Sequence, residues 1–361
     1  MSRVYNFNPG PAALPLPVLE RAQQELLDYQ GQGMSILEMS HRSKEYEALN
    51  ARAEERIKAL LGIDDSYRVL FIPGGASLQF AMVPMNFLPA SAVADYILTG
   101  AWAEKAFGEA KKIGQVHIAA STQTENYHRI PDTSAIKLSD RPAYVHITSN
   151  NTIYGTQWQQ YPDVGDYPLV ADMSSDILSR PFDASKFALI YAGTQKNIGS
   201  AGVTAIIIRQ SWLDQASTVI PTILRYTTFA KNNSLYNTPP TFSVYLMSLV
   251  LEWIEDQGGV AAIDRINRQK AAVVYTAVER SGGFYHGHAQ PESRSLMNAT
   301  FRLPSEDLEK QFISEAKAAS MVGLGGHRSV GGIRVSLYNG VSREACEALA
   351  AFMDEFMRKN G

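Results

Sequence analysis

Sulfur chemistry is nearly missing from this chain: Cys346 is its only cysteine. One thiol closes no internal disulfide and builds no cysteine-rich metal site, so no metal is expected and a reducing compartment, the cytoplasm, is the natural setting. No uninterrupted apolar run is long enough to span a bilayer. The segment from Met1 to Leu16 is broken by Pro9, Pro11 and Pro15 and lacks the apolar core of a signal peptide. An excess of one charge is lacking as well: 33 Lys and Arg stand against 36 Asp and Glu, a net charge of -3. Such a balance gives no field that would draw in nucleic acid or an anionic membrane, so any anionic ligand must be held by a local cluster of cations. Two phosphate motifs are absent too, the Gly-Lys-Ser/Thr ending of a P-loop and the GxGxxG dinucleotide turn.

What is present describes an ordinary folded protein. Hydrophobic residues make up 45% and charged residues 19% of 361 residues, a length that predicts two domains. Val18, Ala22 and Leu26 recur at helical spacing after Pro17, until Gly31 stops the pattern. A second helix runs from Tyr46 through Leu49, Ala53, Ile57 and Leu60 to Gly62. Short apolar runs then alternate with polar or helical stretches: Arg68–Ile72, Ala94–Leu98, Tyr144–Ile147, Leu169–Ala171, Phe187–Tyr191 and Val203–Ile208. That spacing predicts an α/β fold, a mostly parallel sheet with helices on both faces. A helix from Thr241 to Trp253 follows Pro239-Pro240, and the texture changes after Gly258-Gly259. A long helix, Ala261 to Arg280, leads into strands Met297–Phe301 and Ile333–Leu337 and helices near Leu308–Ala319 and Ser342–Phe356. The expected division is a large domain over 16–260 and a smaller C-terminal α/β domain over 261–361, joined by residues 1–15.

In open α/β sheets ligands bind beyond the carboxyl ends of the strands. Gly74-Gly75-Ala76-Ser77 follows one strand and precedes an apolar stretch, which suits either a tight turn or an anion cradle at a helix N-terminus. Trp102 after Thr99-Gly100 can pack in the core or lay its face on a flat ring. Asp172 ends the run Pro168–Ala171, where a carboxylate caps a helix or holds a protonated ring nitrogen. Lys196 lies between two apolar strands among Gly, Thr and Asn, a setting that would bury it and depress its pKa, as a lysine forming an imine needs. Each unit of depression corresponds to about 1.4 kcal/mol. His41-Arg42 and His327-Arg328, with Arg334, could grip a doubly charged group or simply sit in solvent. Together these match the parts list of one cofactor: an anion cradle, a stacking face, a carboxylate and an amine.

The motifs carry a resemblance over the whole chain. Asn6-Phe7-Asn8-Pro9-Gly10-Pro11, Ser40-His41-Arg42-Ser43-Lys44, Gly74-Gly75-Ala76-Ser77-Leu78-Gln79-Phe80, Ala171-Asp172-Met173-Ser174-Ser175, Tyr191-Ala192-Gly193-Thr194-Gln195-Lys196-Asn197, Tyr236-Asn237-Thr238-Pro239-Pro240-Thr241 and Gly325-Gly326-His327-Arg328 stand in order and at compatible spacing. The sequence thus resembles the phosphoserine aminotransferase family, class-V aminotransferases of fold type I that depend on pyridoxal 5'-phosphate. The resemblance implies that Lys196 links covalently to the cofactor's aldehyde and that Asp172 pairs with its ring nitrogen. Trp102 would stack on the ring, Thr152 would lie beside it, and Ala76, Ser77 and Gln195 would hold its phosphate. Asn237 and Thr238 would reach that phosphate from a second subunit, which implies a homodimer with shared sites. Arg334 would clamp the substrate's α-carboxylate, and His41, Arg42, His327 and Arg328 would surround its distal phosphate or carboxylate. Some members carry Arg where this chain has Ser77. The implied reaction is reversible amino transfer between O-phospho-L-serine and 2-oxoglutarate, giving 3-phosphohydroxypyruvate and L-glutamate, in serine biosynthesis; 4-phosphohydroxythreonine, of vitamin B6 synthesis, is a second candidate substrate.

Other readings stay open from sequence. An aminotransferase for a nonphosphorylated substrate would carry the same cofactor motifs. A cysteine desulfurase would need a reactive thiol, but Cys346 sits in the apolar pattern of a C-terminal helix with Ala345, Leu349 and Phe352, where a buried structural thiol is expected. A nicotinamide-dependent dehydrogenase lacks its glycine fingerprint here, and a noncatalytic module does not account for polar groups gathered at strand ends.

Overall fold

The computed structural model describes residues 3–361; Met1 and Ser2, which open the N-terminal segment assigned to the small domain, lie outside it. The central sheet has seven strands: β1 Tyr67–Pro73, β2 Val93–Leu98, β3 Gln115–Ser121, β4 Val145–Thr148, β5 Leu169–Asp172, β6 Leu189–Gly193 and β7 Val203–Arg209. Their spatial order is β1-β7-β6-β5-β4-β2-β3. β7 runs antiparallel to its neighbours β1 and β6, and every other pairing is parallel. This is the mostly parallel sheet expected from the short apolar runs.

Those runs are continuous because both faces of the sheet are covered. Successive residues alternate between two apolar cores: Ala171, Ile190 and Ala192 enter one, and Val170, Leu189 and Tyr191 enter the other. Helices α1 Leu16–Gln24, α2 Lys44–Leu61, α3 Ala76–Phe87, α4 Ala101–Ala110 and α5 Thr241–Asp256 cover the two faces. α1, α2 and α5 feed the first core; α3 and α4 feed the second. α2 shows how local sequence sets its bounds. The Ser43 side chain accepts a bond from the Tyr46 N–H at the start, and Gly62 closes the end with φ 65°, a left-handed conformation that glycine adopts without strain.

Two sequence expectations are corrected. The first helix ends at Gln24 rather than continuing toward Gly31. Val18 and Ala22 are buried and Leu26 and Leu27 are exposed, while Tyr29 returns to the core from a separate 3-10 turn, Tyr29–Gly31. β3 was not anticipated at all. It is an edge strand with one neighbour, β2, and its apolar residues are split by His117 and mostly part-exposed, so it lacks the long apolar run of a central strand.

A second, three-stranded antiparallel sheet follows, built of β8 His286–Gly287, β9 Asn298–Arg302 and β10 Ile333–Ser336. With helices α6 Gly259–Glu279, α7 Glu306–Ala318 and α8 Arg343–Asn360 it encloses a third core that also takes in Phe7. Val260 and Ile263 of α6 belong to the first core, whereas Ala271, Val274, Ala277 and Val278 belong to the third, so this helix links the two. Cys346 is fully buried in the third core, and burial pushes its thiol up to about 11. It is the structural thiol that its sequence setting indicates.

Candidate active site

The ends of β1, β2, β5 and β6 converge on one cavity of roughly 880 Å³, counting the solvent-open part. β5 delivers Asp172, only 6% exposed, whose carboxylate accepts the Ser174 N–H at 2.9 Å. Burial pushes this carboxyl up from the usual range, while Lys196, Ser174 and Tyr191 pull it back. The turn after β6 delivers Lys196, which opens partly onto the cavity. Burial lowers the pKa of its amine; Asp172 opposes that and Arg334 adds to it. The turn is anchored on both sides. Asn197 donates to the Ile177 carbonyl at 2.6 Å and accepts the Asn339 N–H at 2.9 Å, and the Gln195 carbonyl accepts the Ala12 N–H at 2.9 Å.

β2 leads through Gly100 into α4. A side chain at Gly100 would come within 2.7 Å of Asn151 Oδ1, so this position requires glycine for the close approach. Trp102 then donates from its indole to Thr152 Oγ1 at 3.0 Å, which fixes the ring's orientation. Lys196 Nζ lies 5.5 Å from that ring's centre, and Lys105 Nζ lies 4.2 Å from it. β1 leads through Gly74 and Gly75 into α3, whose N-terminus has no side-chain cap. Gly75, Ala76 and Ser77 line the cavity there, so free backbone N–H groups and the positive end of a helix border it. From the second sheet comes Arg334, 8% exposed, with its guanidinium 3.4 Å from the Thr152 carbonyl and its Nε without a partner. A buried, unpaired guanidinium is a site for a carboxylate.

The donor set therefore fits an aromatic phosphate ester bearing an aldehyde: N–H groups for the phosphate, an indole face for the ring, a carboxylate for a ring nitrogen and an amine for the aldehyde. Of the sequence-derived residues, Ala76, Ser77, Trp102, Thr152, Asp172, Gln195, Lys196, His327 and Arg334 line this one cavity. Five do not. Arg328 is exposed beside His327, and Arg42 lines a separate depression with Glu47, Asn50 and Asn232. His41, Asn237 and Thr238 likewise lie outside the cavity of a single chain. Sequence reasoning missed Pro9, Gly10, Phe80 and Ser174 as cavity residues. Each lies inside a motif already noted, and Ser174 carried a readable signal: its place two residues after Asp172, the spacing of a side-chain-to-backbone turn.

The Asp172 geometry also resolves an ambiguity. No helix follows directly on Asp172, so it caps none; one oxygen holds the Ser174 N–H in a turn while the side chain borders the cavity. The local bond positions the carboxylate rather than competing with the site.

Comparison with known proteins agrees with the geometry. The family model for class-V aminotransferases matches residues 4–349. Phosphoserine aminotransferase of Herpetosiphon aurantiacus is 62% identical over 358 residues, covering 99% of both chains. The enzyme of that name from Bacillus subtilis is 55% identical over the full length of both. Among solved structures, phosphoserine aminotransferase from Bacillus circulans subsp. alkalophilus superposes with a TM-score of 0.98 at 55% identity, covering 99% of each chain. The chain belongs to the class-V aminotransferase family.

Proposed function

We propose that this protein is a phosphoserine aminotransferase, moving an amino group between O-phospho-L-serine and 2-oxoglutarate with pyridoxal 5'-phosphate as cofactor. The observation that carries the reading is that Lys196 and Asp172 line one cavity bordered by a helix N-terminus and an indole. When bound, pyridoxal phosphate supplies an aldehyde for the amino group and a ring that accepts electrons from the substrate.

The chain's own residues do the rest. Asp172, its carboxyl buried at the end of β5, would hold a proton on the ring nitrogen. Lys196, its amine biased toward the neutral form by burial, takes a proton from the substrate's Cα. Trp102, oriented by Thr152, stacks against the ring. Ala76, Ser77 and Gln195 hold the cofactor's phosphate, joined by Asn237 and Thr238 of the partner subunit in a homodimer. Arg334 receives the α-carboxylate, and His327, Arg328, His41 and Arg42 surround the distal phosphate of phosphoserine or the distal carboxylate of glutamate. We further read residues 16–260 as the cofactor-binding domain and 261–361, with 1–15, as the small domain, supported by the separate third core. Among the described residues no helix is long and apolar enough to cross a membrane, which accords with a cytoplasmic enzyme.

Two half-reactions through one site give ping-pong kinetics. The test is a transamination assay with 2-oxoglutarate and phosphoserine, serine or alanine as donor, alongside the absorption spectrum of the purified protein. Phosphoserine should exceed the other donors by at least roughly 100-fold in kcat/KM, because an unphosphorylated donor leaves the distal cations unpaired. Equal activity with serine or alanine would mean an aminotransferase for a nonphosphorylated substrate. A colourless, inactive protein would remove the cofactor reading altogether.

A further inference from the structure

Three buried asparagines from three separate segments close on one loop that follows Asp172. Consecutive carbonyls of that loop each accept one of their amides: Ile177 from Asn197 at 2.6 Å, Leu178 from Asn339 at 3.0 Å and Ser179 from Asn267 at 2.9 Å. The asparagine segments also bond to one another. Asn197 Oδ1 accepts the Asn339 N–H at 2.9 Å, and Asn339 Oδ1 accepts the Asn267 amide at 2.9 Å. Each of the three is at most 5% exposed, and none lines the cavity.

The partners dictate the residue type. A carbonyl only accepts, so the amide nitrogens of Asn197 and Asn339 must face the loop, which turns each oxygen toward an N–H. Asn267 meets two acceptors, the Ser179 carbonyl and Asn339 Oδ1, and uses both of its N–H groups. Aspartate at any of these positions would set an oxygen against a buried acceptor, and alanine would leave the loop carbonyl unpaired. The loop itself needs holding: Leu178 is fully buried with φ 55°, a left-handed conformation that is costly for leucine. The far end is fixed as firmly. One turn along α6 from Asn267, Lys270 donates to the carbonyls of Leu337, Tyr338 and Val341 at 2.9, 2.8 and 3.0 Å, on either side of Asn339.

We propose that Asn197, Asn339 and Asn267 are positioning residues that set the place of Lys196 against Asp172 and Arg334. This rests on the reading of Lys196 as the amine that meets the cofactor and the substrate's Cα. The three cavity residues stand on the segments that the asparagines join. Lys196 directly precedes Asn197, Asp172 leads into the loop, and Arg334 on β10 leads through Ser336 to Asn339. Tied at one node, these segments cannot shift independently, and a misplacement of about 1 Å at a reacting group can cost roughly 100-fold in rate.

The test follows one half-reaction, by mixing the holoenzyme rapidly with phosphoserine and recording the cofactor's absorption. In Asn197→Ala the saturated rate should fall roughly 10-fold while the apparent Kd for phosphoserine stays within about threefold, because the binding groups remain and the placement of the amine is lost. Asn267→Ala, which touches neither Lys196 nor the cavity, should lower the rate roughly threefold. Asn197→Ala combined with Asn339→Ala should lose less than the product of the single losses, since both act on one loop. Ile57→Ala in the first core is the packing control: it should lower the melting temperature and leave the rate within about twofold. A rate in Asn197→Ala no lower than in Ile57→Ala, or single losses that simply multiply, would overturn the proposal. Should Asn197→Ala not fold, Asn267→Ala, Asn339→Ala and their double variant decide by the same criteria. Lys196→Ala separates the two readings. If it abolishes the half-reaction while Asn197→Ala spares it, the brace is wrong and the Lys196 assignment stands; if Lys196→Ala keeps the wild-type rate, the Lys196 assignment itself fails.

Discussion

The two ends of the site are built differently. The end with Lys196, Asp172, Trp102 and the start of α3 rests on strand termini of the central sheet, and a single chain brings all of it together. The end proposed for a distal anion draws on loops. Arg42 and Arg328 are exposed, and neither lines the cavity of a single chain. The difference teaches where rigidity is needed. Proton movement at Cα tolerates little misplacement, and the residues proposed for it sit on fixed elements, whereas recognition of a mobile dianion can be shared among loops and, in the proposed dimer, between subunits.

The comparison predicts a graded response to substitution. Lys196→Ala should cost at least roughly 1000-fold in kcat, since both covalent attachment and proton transfer are lost. Activity close to wild type would break the account at its rigid end. Asp172→Asn should follow with a loss on the order of 100-fold in kcat while most of the cofactor is retained, as expected for loss of one partner of a buried charge pair. Cofactor titration beside steady-state kinetics separates the two effects.

Arg334→Ala should raise KM for phosphoserine and glutamate alike by roughly 10- to 100-fold, the loss of a charge-assisted contact common to both. A change confined to one substrate would place Arg334 at the distal end instead. Arg328→Ala should be milder, roughly 10-fold in kcat/KM for phosphoserine, because an exposed cation is screened by solvent.

The smallest effect is also the most local. Burial, then Arg334, Arg328 and Lys105, hold the His327 imidazole below its usual pKa. Removing the Arg328 charge takes away a like-charge neighbour, so the protonated form becomes easier to reach and the His327 pKa should rise. An NMR titration of His327 in Arg328→Ala reads this directly. No change would mean that the two side chains do not sense each other.

Much of this arrangement was legible in the sequence, for reasons that differ by element. The strands buried on both faces announced themselves as unbroken apolar runs, and the polar residues after them marked the site. β3 stayed invisible because its apolar residues are split by His117 and part-exposed at an edge, and α1 was overextended because Leu26 fits the helical stripe yet stays exposed. Taken one at a time, Ser77, Trp102 and Asp172 each had an ordinary structural explanation, and only the shared motif order and then the common cavity brought them together.

Everything at the rigid end depends on which amine meets the cofactor. Borohydride reduction of the holoenzyme, followed by peptide mapping by mass spectrometry, tests this directly. The account predicts one reduced pyridoxyl adduct, on the peptide containing Lys196; an adduct on any other lysine, or none at all, would contradict it.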